Sequence, residues 1–270
     1  MLTIKNNLMA ETAARTLGNS YDALAKSVQR LSSGLRINSA KDDAAGLAVR
    51  ELLRADIALL RQGSRNAQDA ISMLQTAEGA MGIIDETLIR MSELAEQAAT
   101  ESYSAPQRTI MNEEFNELAK EISRIASSTK FNNITLLNST SAYSIHVGDQ
   151  DETIDIQAQV MDRDALGMSS AITVSSVASA EAALTALSSA INAKDTYRAH
   201  LGYMMNRLEG AVSVVDIQAE NLLTAESRIS DVDVATEMAA LTRSQVLAQA
   251  GISMLAQANT MPQMALKLLG

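Results

Sequence analysis

The side chains best suited to catalysis or metal binding in this sequence are its two histidines, His146 and His200. Histidine serves as a general base or a metal ligand, but both roles need partner side chains at a recognisable spacing. Neither histidine has such a partner: one lies in a predicted strand and the other in a predicted helix, and the chain contains no cysteine. We therefore interpret both as surface or packing residues.

The other candidate cluster is acidic and contains Asp149, Asp151, Glu152 and Asp155. A calcium loop needs its oxygen ligands in a fixed order with a glycine for the sharp turn, and this segment has neither. The sequence also lacks a glycine-rich phosphate loop and a G-x-S-x-G elbow. It predicts a solvated turn here, and no catalytic residue, cofactor or metal site in the chain.

The composition of the 270 residues argues against a compact enzyme. There is no tryptophan, and the two phenylalanines and five tyrosines leave little from which to line a ligand pocket. A net charge of −10 argues against nucleic acid or an anionic membrane surface as a partner. No apolar run is long enough to cross a bilayer. The first residues turn polar too early for a signal peptide, so we expect any export to bypass the general secretory route.

Apolar residues that recur in alternating steps of three and four dominate the chain. This spacing predicts helices that each bury one stripe against a neighbour, as in a coiled coil. Four later runs start at Leu53, Met111, Leu201 and Val234, and the first consists of Leu17, Tyr21, Leu24, Val28, Leu31 and Leu35. The predicted fold class is mainly α, a coiled-coil-like helical bundle.

Two sequences that resemble capping boxes, Ser39-x-x-Asp42 and Ser104-x-x-Gln107, delimit one long helix from about Ala44 to about Ala99. At the rise of an α-helix this is a rod of about 80 Å, so we expect an elongated molecule. Gly79 and Gly82 lie inside this helix at a cost of about 1 kcal/mol each. Close approach of a neighbouring helix would explain them, and so would simple tolerance.

A β-hairpin is predicted between about residues 132 and 173. Tyr143–Val147 and Thr153–Ile156 alternate apolar and polar side chains on either side of the turn Gly148–Asp151. The expected order is helix, helix, small β-insert, helix, helix. The two ends of the chain are expected to lie together, with the hairpin at the far tip.

Long segments near both ends resemble the bacterial flagellins. These are Leu31–Ala48 (LSSGLRINSAKDDAAGLA), Ser64–Ala80 (SRNAQDAISMLQTAEGA), Ser227–Ala239 (SRISDVDVATEMA) and Leu255–Pro262 (LAQANTMP). With the weaker hairpin motif, the resemblance covers nearly the whole chain. The large variable middle domain of many flagellins is missing.

The resemblance implies a secreted structural subunit of the extracellular flagellar filament. It implies that residues 1–42 and 229–270 pair as the inner part of the filament and that residues 43–228 form an outer bundle. It also implies type III export, an export chaperone on the C-terminal segment, and contact with the flagellar cap and hook-associated proteins. Self-assembly is expected to use the stripes of the terminal helices, at Leu17, Leu24, Leu31, Leu35, Met238, Leu241 and Leu255.

The resemblance implies a second surface, which host receptors of the Toll-like type read on the outer bundle. Arg90, Leu94 and Glu114 match its pattern, whereas Ser92 and Glu96 depart from common versions. The other reading of Arg90 and Glu114 is a pair of surface residues that make contacts between subunits.

Two alternatives to a filament subunit remain open. A hook–filament junction protein shares the terminal architecture, but we expect it to diverge at Ser227–Ala239 and Leu255–Pro262. A coiled-coil signalling or adhesin module would explain the apolar stripes but not these two motifs. The sequence favours the filament subunit.

Overall fold

The computed structural model describes residues 6–148 and 152–269 and confirms the mainly α fold. Its helices are α1 (Leu8–Ser33), α2 (Ala44–Ala99), α3 (Ala105–Ser128), α4 (Val177–Ser230) and α5 (Val234–Leu269). Its strands are β1 (Lys130–Phe131), β2 (Ile134–Thr135), β3 (Ala142–His146) and β4 (Thr153–Gln157). Three helices rather than two precede the β-insert, because the chain restarts at Ser104 as a separate helix.

The long helix α2 has the predicted bounds, but one of the two predicted capping boxes is wrong. Gln107 accepts a hydrogen bond from the Ser104 backbone N–H over 2.8 Å, as a capping box at the start of α3 requires. At α2 the capping residue is instead Asp43, whose carboxylate accepts from Gly46 N–H over 2.8 Å. The Asp42 carboxylate faces backward and accepts from the N–H groups of Asn38 and Ser39, which closes a turn before the helix.

Contacts between residues divide the chain into two units. The terminal unit contains the chain up to Ile57 together with the chain from Glu220 onward, and the bundle unit contains Ala58–Ala219. The sequence predicted outer-bundle bounds of residues 43 and 228. Among the described residues, no helix combines the length and the apolar character that a membrane crossing needs.

The core of the bundle unit is formed by α2, α3, α4 and the β-insert. Large side chains from each helix are buried in it with almost no exposed surface: Met81, Leu88, Met91, Phe115, Ile122, Leu187, Leu201 and Leu208. All of these positions except Leu187 lie on the predicted three–four rhythm. Burial of each such side chain stabilises the fold by about 1.5–3 kcal/mol.

The predicted hairpin is confirmed as the antiparallel pair β3–β4, in which Tyr143 pairs with Ile156 and Ile145 with Ile154. Apart from Gly148, the predicted turn lies outside the described residues. A smaller hairpin, β1–β2, was not predicted. Its turn residues Asn132 and Asn133 have φ of 46° and 68°, a left-handed conformation that asparagine tolerates and that matches the twist of paired strands.

Gly63, rather than Gly79 or Gly82, is where the backbone of another segment approaches α2 closely. A Cβ at Gly63 would lie 2.3 Å from the carbonyl oxygen of Val147, so the hairpin backbone packs directly on the helix there. A Cβ at Gly79 or Gly82 would have no atom within 4 Å. Within this chain, close approach of a neighbouring helix therefore does not explain these two glycines.

Candidate assembly surface

Helices α1 and α5 of the terminal unit pack against each other in antiparallel directions. At one end Asn7 Nδ2 donates to the carbonyl of Ala258 over 2.8 Å. Further along, a Cβ added to Gly251 would lie 3.1 Å from Leu17 Cδ1, so Leu17 packs where α5 has no side chain. At the other end Ser27 Oγ donates to Glu237 Oε1 over 2.5 Å. The predicted pairing of the two ends of the chain is confirmed in the described residues.

The seam between these helices alternates leucines with small residues, which differs from the predicted stripe. Ser20 and Ser27 of α1 are buried, at 8% and 5% exposed. Leu17, Leu24 and Leu31 are half-buried on the same face of the helix. Tyr21 and Val28, which the sequence assigned to this stripe, are 48% and 52% exposed. A three–four rhythm can be continued through either neighbouring residue, and the smaller one allows the two backbones to come closer.

On α5 the seam is also built from small residues with occasional leucines. Ala248 is buried, and Leu241, Gly251 and Leu255 are half-buried. Met238, predicted as an assembly position, is 47% exposed and therefore lies outside the seam.

Polar contacts fix the register of the pair at its Glu237 end. Glu237 accepts from Ser27 through one carboxylate oxygen, and its other oxygen lies 3.4 Å from Arg30 Nη1. Both charged side chains are largely shielded from water, with 26% of Arg30 and 12% of Glu237 exposed. A charge pair of this kind specifies a register because a shifted helix would leave one charge buried without its partner.

Beyond the pair, the chain segments that follow α1 and precede α5 hydrogen-bond to each other. Arg36 N–H donates to the Ser230 carbonyl over 2.6 Å, and Val232 N–H donates to the Gly34 carbonyl over 3.0 Å. Between these two bonds, Leu35 and Asp231 form an isolated antiparallel β-bridge. Because α1 ends at Ser33, Leu35 belongs to this bridge and not to the helical stripe.

Two carboxylates at this junction have lowered pKa values. The hydrogen bond from Lys26, whose Nζ lies 2.9 Å from Asp42, lowers the pKa of Asp42 to about 2. Asp233 caps the start of α5, where its carboxylate accepts from Thr236 Oγ1 over 2.6 Å and from Ala235 N–H over 3.0 Å. The Thr236 hydroxyl is the largest cause of the lowered pKa of Asp233. Asp42 therefore ties the loop that follows α1 back to Lys26 of that helix, and Asp233 stabilises the first turn of α5.

Although α1 and α5 are paired, they leave an unusual amount of apolar surface exposed. Tyr21 and Val28 face outward from α1. Large apolar side chains at least 45% exposed also occur at Leu8, Met9, Val234, Met238, Val246, Leu247, Ile252, Met254 and Met264. Apolar side chains concentrated in this way, rather than scattered singly, are typical of interaction surfaces. We call these residues, together with Tyr21 and Val28, the outer apolar face.

The predicted receptor patch is only partly at the surface. Arg90 of α2 donates to Glu114 of α3 through Nε at 3.0 Å and Nη2 at 2.8 Å, and its Nη1 reaches Glu93 at 3.0 Å. The hydrogen bonds to Glu114 and Glu93 raise the pKa of Arg90. Leu94 is 2% exposed and packs in the core, so it does not form part of this surface.

Neither histidine forms part of a metal-binding cluster in the described residues. His146 is exposed, and its backbone carbonyl accepts from Asn66 Nδ2 over 3.0 Å. His200 lies between Tyr197 and Tyr203, with ring centroids 6.0 and 4.8 Å away. Within residues 6–148 and 152–269, no three histidine or carboxylate side chains converge as metal ligands would. The part of the predicted acidic turn at Asp149 and Asp151 lies outside these residues.

Sequence reasoning missed the residues that set the α1–α5 register: Ser20, Ser27, Ala248, Gly251 and Glu237. A search for the spacing of large apolar residues does not detect small or polar residues. A search for small residues at the same spacing on both terminal helices would have found four of them.

The structure defines a mainly helical protein whose first and last helices pair, and comparison with known proteins places it more narrowly. The family model described as "Bacterial flagellin N-terminal helical region" matches residues 4–142. The model described as "Bacterial flagellin C-terminal helical region" matches residues 184–269. A flagellin of Halalkalibacterium halodurans is 42% identical over 99% of this chain and 100% of its own length. The flagellar filament 33 kDa core protein of Treponema phagedenis is 40% identical over the same shares.

Solved structures agree with the sequence comparison. The crystal structure of Bacillus cereus flagellin is 33% identical, with a TM-score of 0.52 over 60% of this chain and 94% of that one. A putative flagellar hook-associated protein from Vibrio parahaemolyticus has a TM-score of 0.61 over 70% of this chain and 100% of that one. At 13% identity this second likeness concerns the fold alone. The chain belongs to the bacterial flagellin family, and it is a structural filament subunit.

Proposed function

We propose that this chain polymerises into the flagellar filament through the outer apolar face of α1 and α5. Residues 1–42 and 229–270 form the inner region of the filament, and residues 43–228 form the outer bundle. The observation that carries this proposal is that two paired helices still expose eleven large apolar side chains, from Leu8 to Met264.

The distribution of these side chains supports a contact between copies of this chain. The seam between α1 and α5 is already occupied by Leu17, Leu24 and their partners, so the outer face is available to other subunits. A helical filament grows when one surface of a subunit binds a different surface of the next without closing a ring. Exposed apolar side chains on both helices of the pair provide two such surfaces.

The proposed role is structural and includes no catalytic step. The chain is secreted through the flagellar type III apparatus to the extracellular filament, where it contacts the cap and hook-associated proteins. An export chaperone binds the C-terminal segment before assembly. The apolar side chains of α5, among them Val246, Leu247 and Ile252, suit binding of a helix in an apolar groove.

A host receptor of the Toll-like type is a further proposed partner, at Arg90 and Glu114. The two side chains form a pair of hydrogen bonds between α2 and α3 and are about half exposed. Arg90→Ala should weaken signalling by the free subunit. Leu94→Ala should act only through loss of stability, because Leu94 is in the core.

The experiment that tests the assembly proposal is seeded filament growth, followed by sedimentation and electron microscopy. Val28→Asp and Leu247→Asp each place a charge on the outer apolar face and should stop growth. Thr153→Asp, on an exposed strand position of the hairpin, is the matched control and should grow like the unmodified protein. Circular dichroism checks that all three variants keep their helices.

Leu24→Asp and Leu255→Asp should also block growth, by a different route. These leucines are half-buried in the α1–α5 seam, so the charge separates the two helices instead of only repelling a neighbouring subunit. Normal filaments from Val28→Asp and Leu247→Asp would refute the proposal.

A further inference from the structure

Among the described residues, every exposed methionine lies in the terminal unit. The chain has fourteen, of which Met1 lies outside the described residues. In the bundle unit every methionine is buried or half-buried: Met73, Met81, Met91, Met111, Met161, Met168, Met204 and Met205. In the terminal unit Met9, Met238, Met254 and Met264 are 64%, 47%, 61% and 50% exposed, and Met261 is half-buried.

This division matters chemically because the chain contains no cysteine. Exposed thioethers are therefore the side chains most readily oxidised by a peroxide. In that reaction the sulfur lone pair attacks one peroxide oxygen, an S–O bond forms and the O–O bond breaks. The thioether becomes a sulfoxide, and the peroxide is reduced to water. No other reactant is needed, and methionine sulfoxide reductases reverse the change.

We propose that Met9, Met238, Met254 and Met264 are sites of reversible oxidation by peroxide that switch off polymerisation of the free subunit. This inference rests on the proposed role of the outer apolar face, to which all four residues belong. A sulfoxide replaces a flexible apolar side chain with a polar, chiral one, and Met-rich interfaces are disrupted by this exchange. The core methionines of the bundle unit are shielded, so the bundle remains folded while the assembly surface is changed.

Two of these methionines lie on α5 beside residues that contact α1. Met238 lies one residue after Glu237, which fixes the register of the pair. Met254 lies one residue before Leu255 of the seam. Both thioethers therefore project from the paired part of α5, so oxidation changes a surface that the α1–α5 pair presents and does not require the pair to open.

The test starts with purified free subunit treated with dilute hydrogen peroxide and quenched with free methionine. Peptide mass spectrometry reads which methionines are oxidised, and seeded growth is measured on the same sample. We expect sulfoxide at Met9, Met238, Met254 and Met264 before any bundle methionine. Seeded growth should fall about tenfold or more, because several apolar contacts become polar at once. Treatment with the reductases for both sulfoxide epimers should restore growth.

Two variants assign the effect to these residues. A variant with Met9→Leu, Met238→Leu, Met254→Leu and Met264→Leu should grow normally with or without peroxide. A variant with Met111→Leu and Met205→Leu, at half-buried positions of the bundle unit, should remain as sensitive as the unmodified protein. If four leucines impair growth by themselves, the pair Met238→Leu and Met254→Leu serves in their place.

The outcomes separate this inference from the proposed function. If the leucine variant loses growth after peroxide as the unmodified protein does, or oxidised subunit grows normally, the oxidation proposal is wrong. The assembly proposal would still stand as long as Val28→Asp stops growth of unoxidised protein. If Val28→Asp grows normally, the assembly proposal itself fails, whatever the result with peroxide.

Discussion

Ser27 Oγ donates a hydrogen bond of 2.5 Å to Glu237 Oε1, joining residues that are 210 positions apart in the chain. The same carboxylate faces Arg30, whose Nε is buried without a hydrogen-bond partner. Through its two oxygens, one glutamate therefore accepts hydrogen bonds from both Ser27 and Arg30 Nη1 of α1. Together with the bridge between Leu35 and Asp231, it specifies how the first and last helices align.

Removal of this carboxylate should loosen the α1–α5 pair without affecting the bundle unit. Glu237→Ala leaves Arg30 and Ser27 without their acceptor, at a cost of about 1–3 kcal/mol. Hydrogen exchange followed by mass spectrometry should show faster exchange in α1 and α5 and no change in residues 67–126. Asp22→Asn, an exposed change on the same helix, is the control. Equal exchange in Glu237→Ala and Asp22→Asn would show that the carboxylate does not hold the pair.

Replacement by alanine should change the thermal stability of the protein in opposite directions at two glycines of α2. Gly63→Ala forces a methyl group against the Val147 carbonyl, 2.3 Å away, and should lower the melting temperature. Gly79→Ala adds its methyl to open space and should stabilise the helix by about 0.5–1 kcal/mol. Thermal unfolding by circular dichroism measures both. Destabilisation by Gly79→Ala would mean that some contact, for example with another subunit, occupies that space.

The two partners of a buried ion pair in the bundle unit should differ in the stability lost when each is removed. Lys194 of α4 is 2% exposed and pairs with Asp85 of α2 and, at 2.8 Å, with Asp195. Asp85→Ala leaves a buried ammonium with only one carboxylate and should cost about 1–3 kcal/mol. Lys194→Met removes the buried charge itself and should stay within about 1 kcal/mol of the unmodified protein. Urea unfolding measures the difference, and the reverse order would contradict it.

Asp42 gives a prediction about pH. Its folded pKa of about 2 lies below the ordinary value of 3.8, because it accepts a hydrogen bond from Lys26. Its stabilising contribution is therefore complete above about pH 4 and is lost as the pH falls toward 2. An NMR titration of the Asp42 carboxyl carbon should give a pKa near 2. In Lys26→Met the value should move back toward 3.8, and an unchanged value would show that the ion pair is not the cause.

The sequence predicted the elements whose apolar spacing is regular. It did not predict which side chains form the α1–α5 seam, where small residues determine the packing. The pairing of β3 with β4 followed from alternation, and the bounds of α2 followed from two polar sequences of which only Ser104-x-x-Gln107 is a capping box. The position of the seam did not, because Leu17, Leu24 and Leu31 fit equally well with Tyr21 and Val28 or with Ser20 and Ser27. Only the packing of α5 on α1 shows that the serines are inside and the larger residues outside.

The resemblance to flagellins correctly indicated the family, while individual surface residues needed the structure. Leu94 matches a sequence pattern for a surface patch, yet its side chain is in the core. A sequence motif records which residue types occur together and does not record which of them face water. Exposure therefore determines which of Arg90, Leu94 and Glu114 a partner could contact.

The central claim is that the outer apolar face becomes buried between subunits, and the absence of cysteine allows a direct measurement. Single variants Val28→Cys, Leu247→Cys and Thr153→Cys are labelled with a maleimide, first as free subunits and then as filaments. The account predicts that labelling at 28 and 247 slows at least about tenfold on assembly, since burial of an apolar contact excludes the reagent. Labelling at 153 should continue. Filaments in which positions 28 and 247 remain as reactive as in the free subunit would contradict the account.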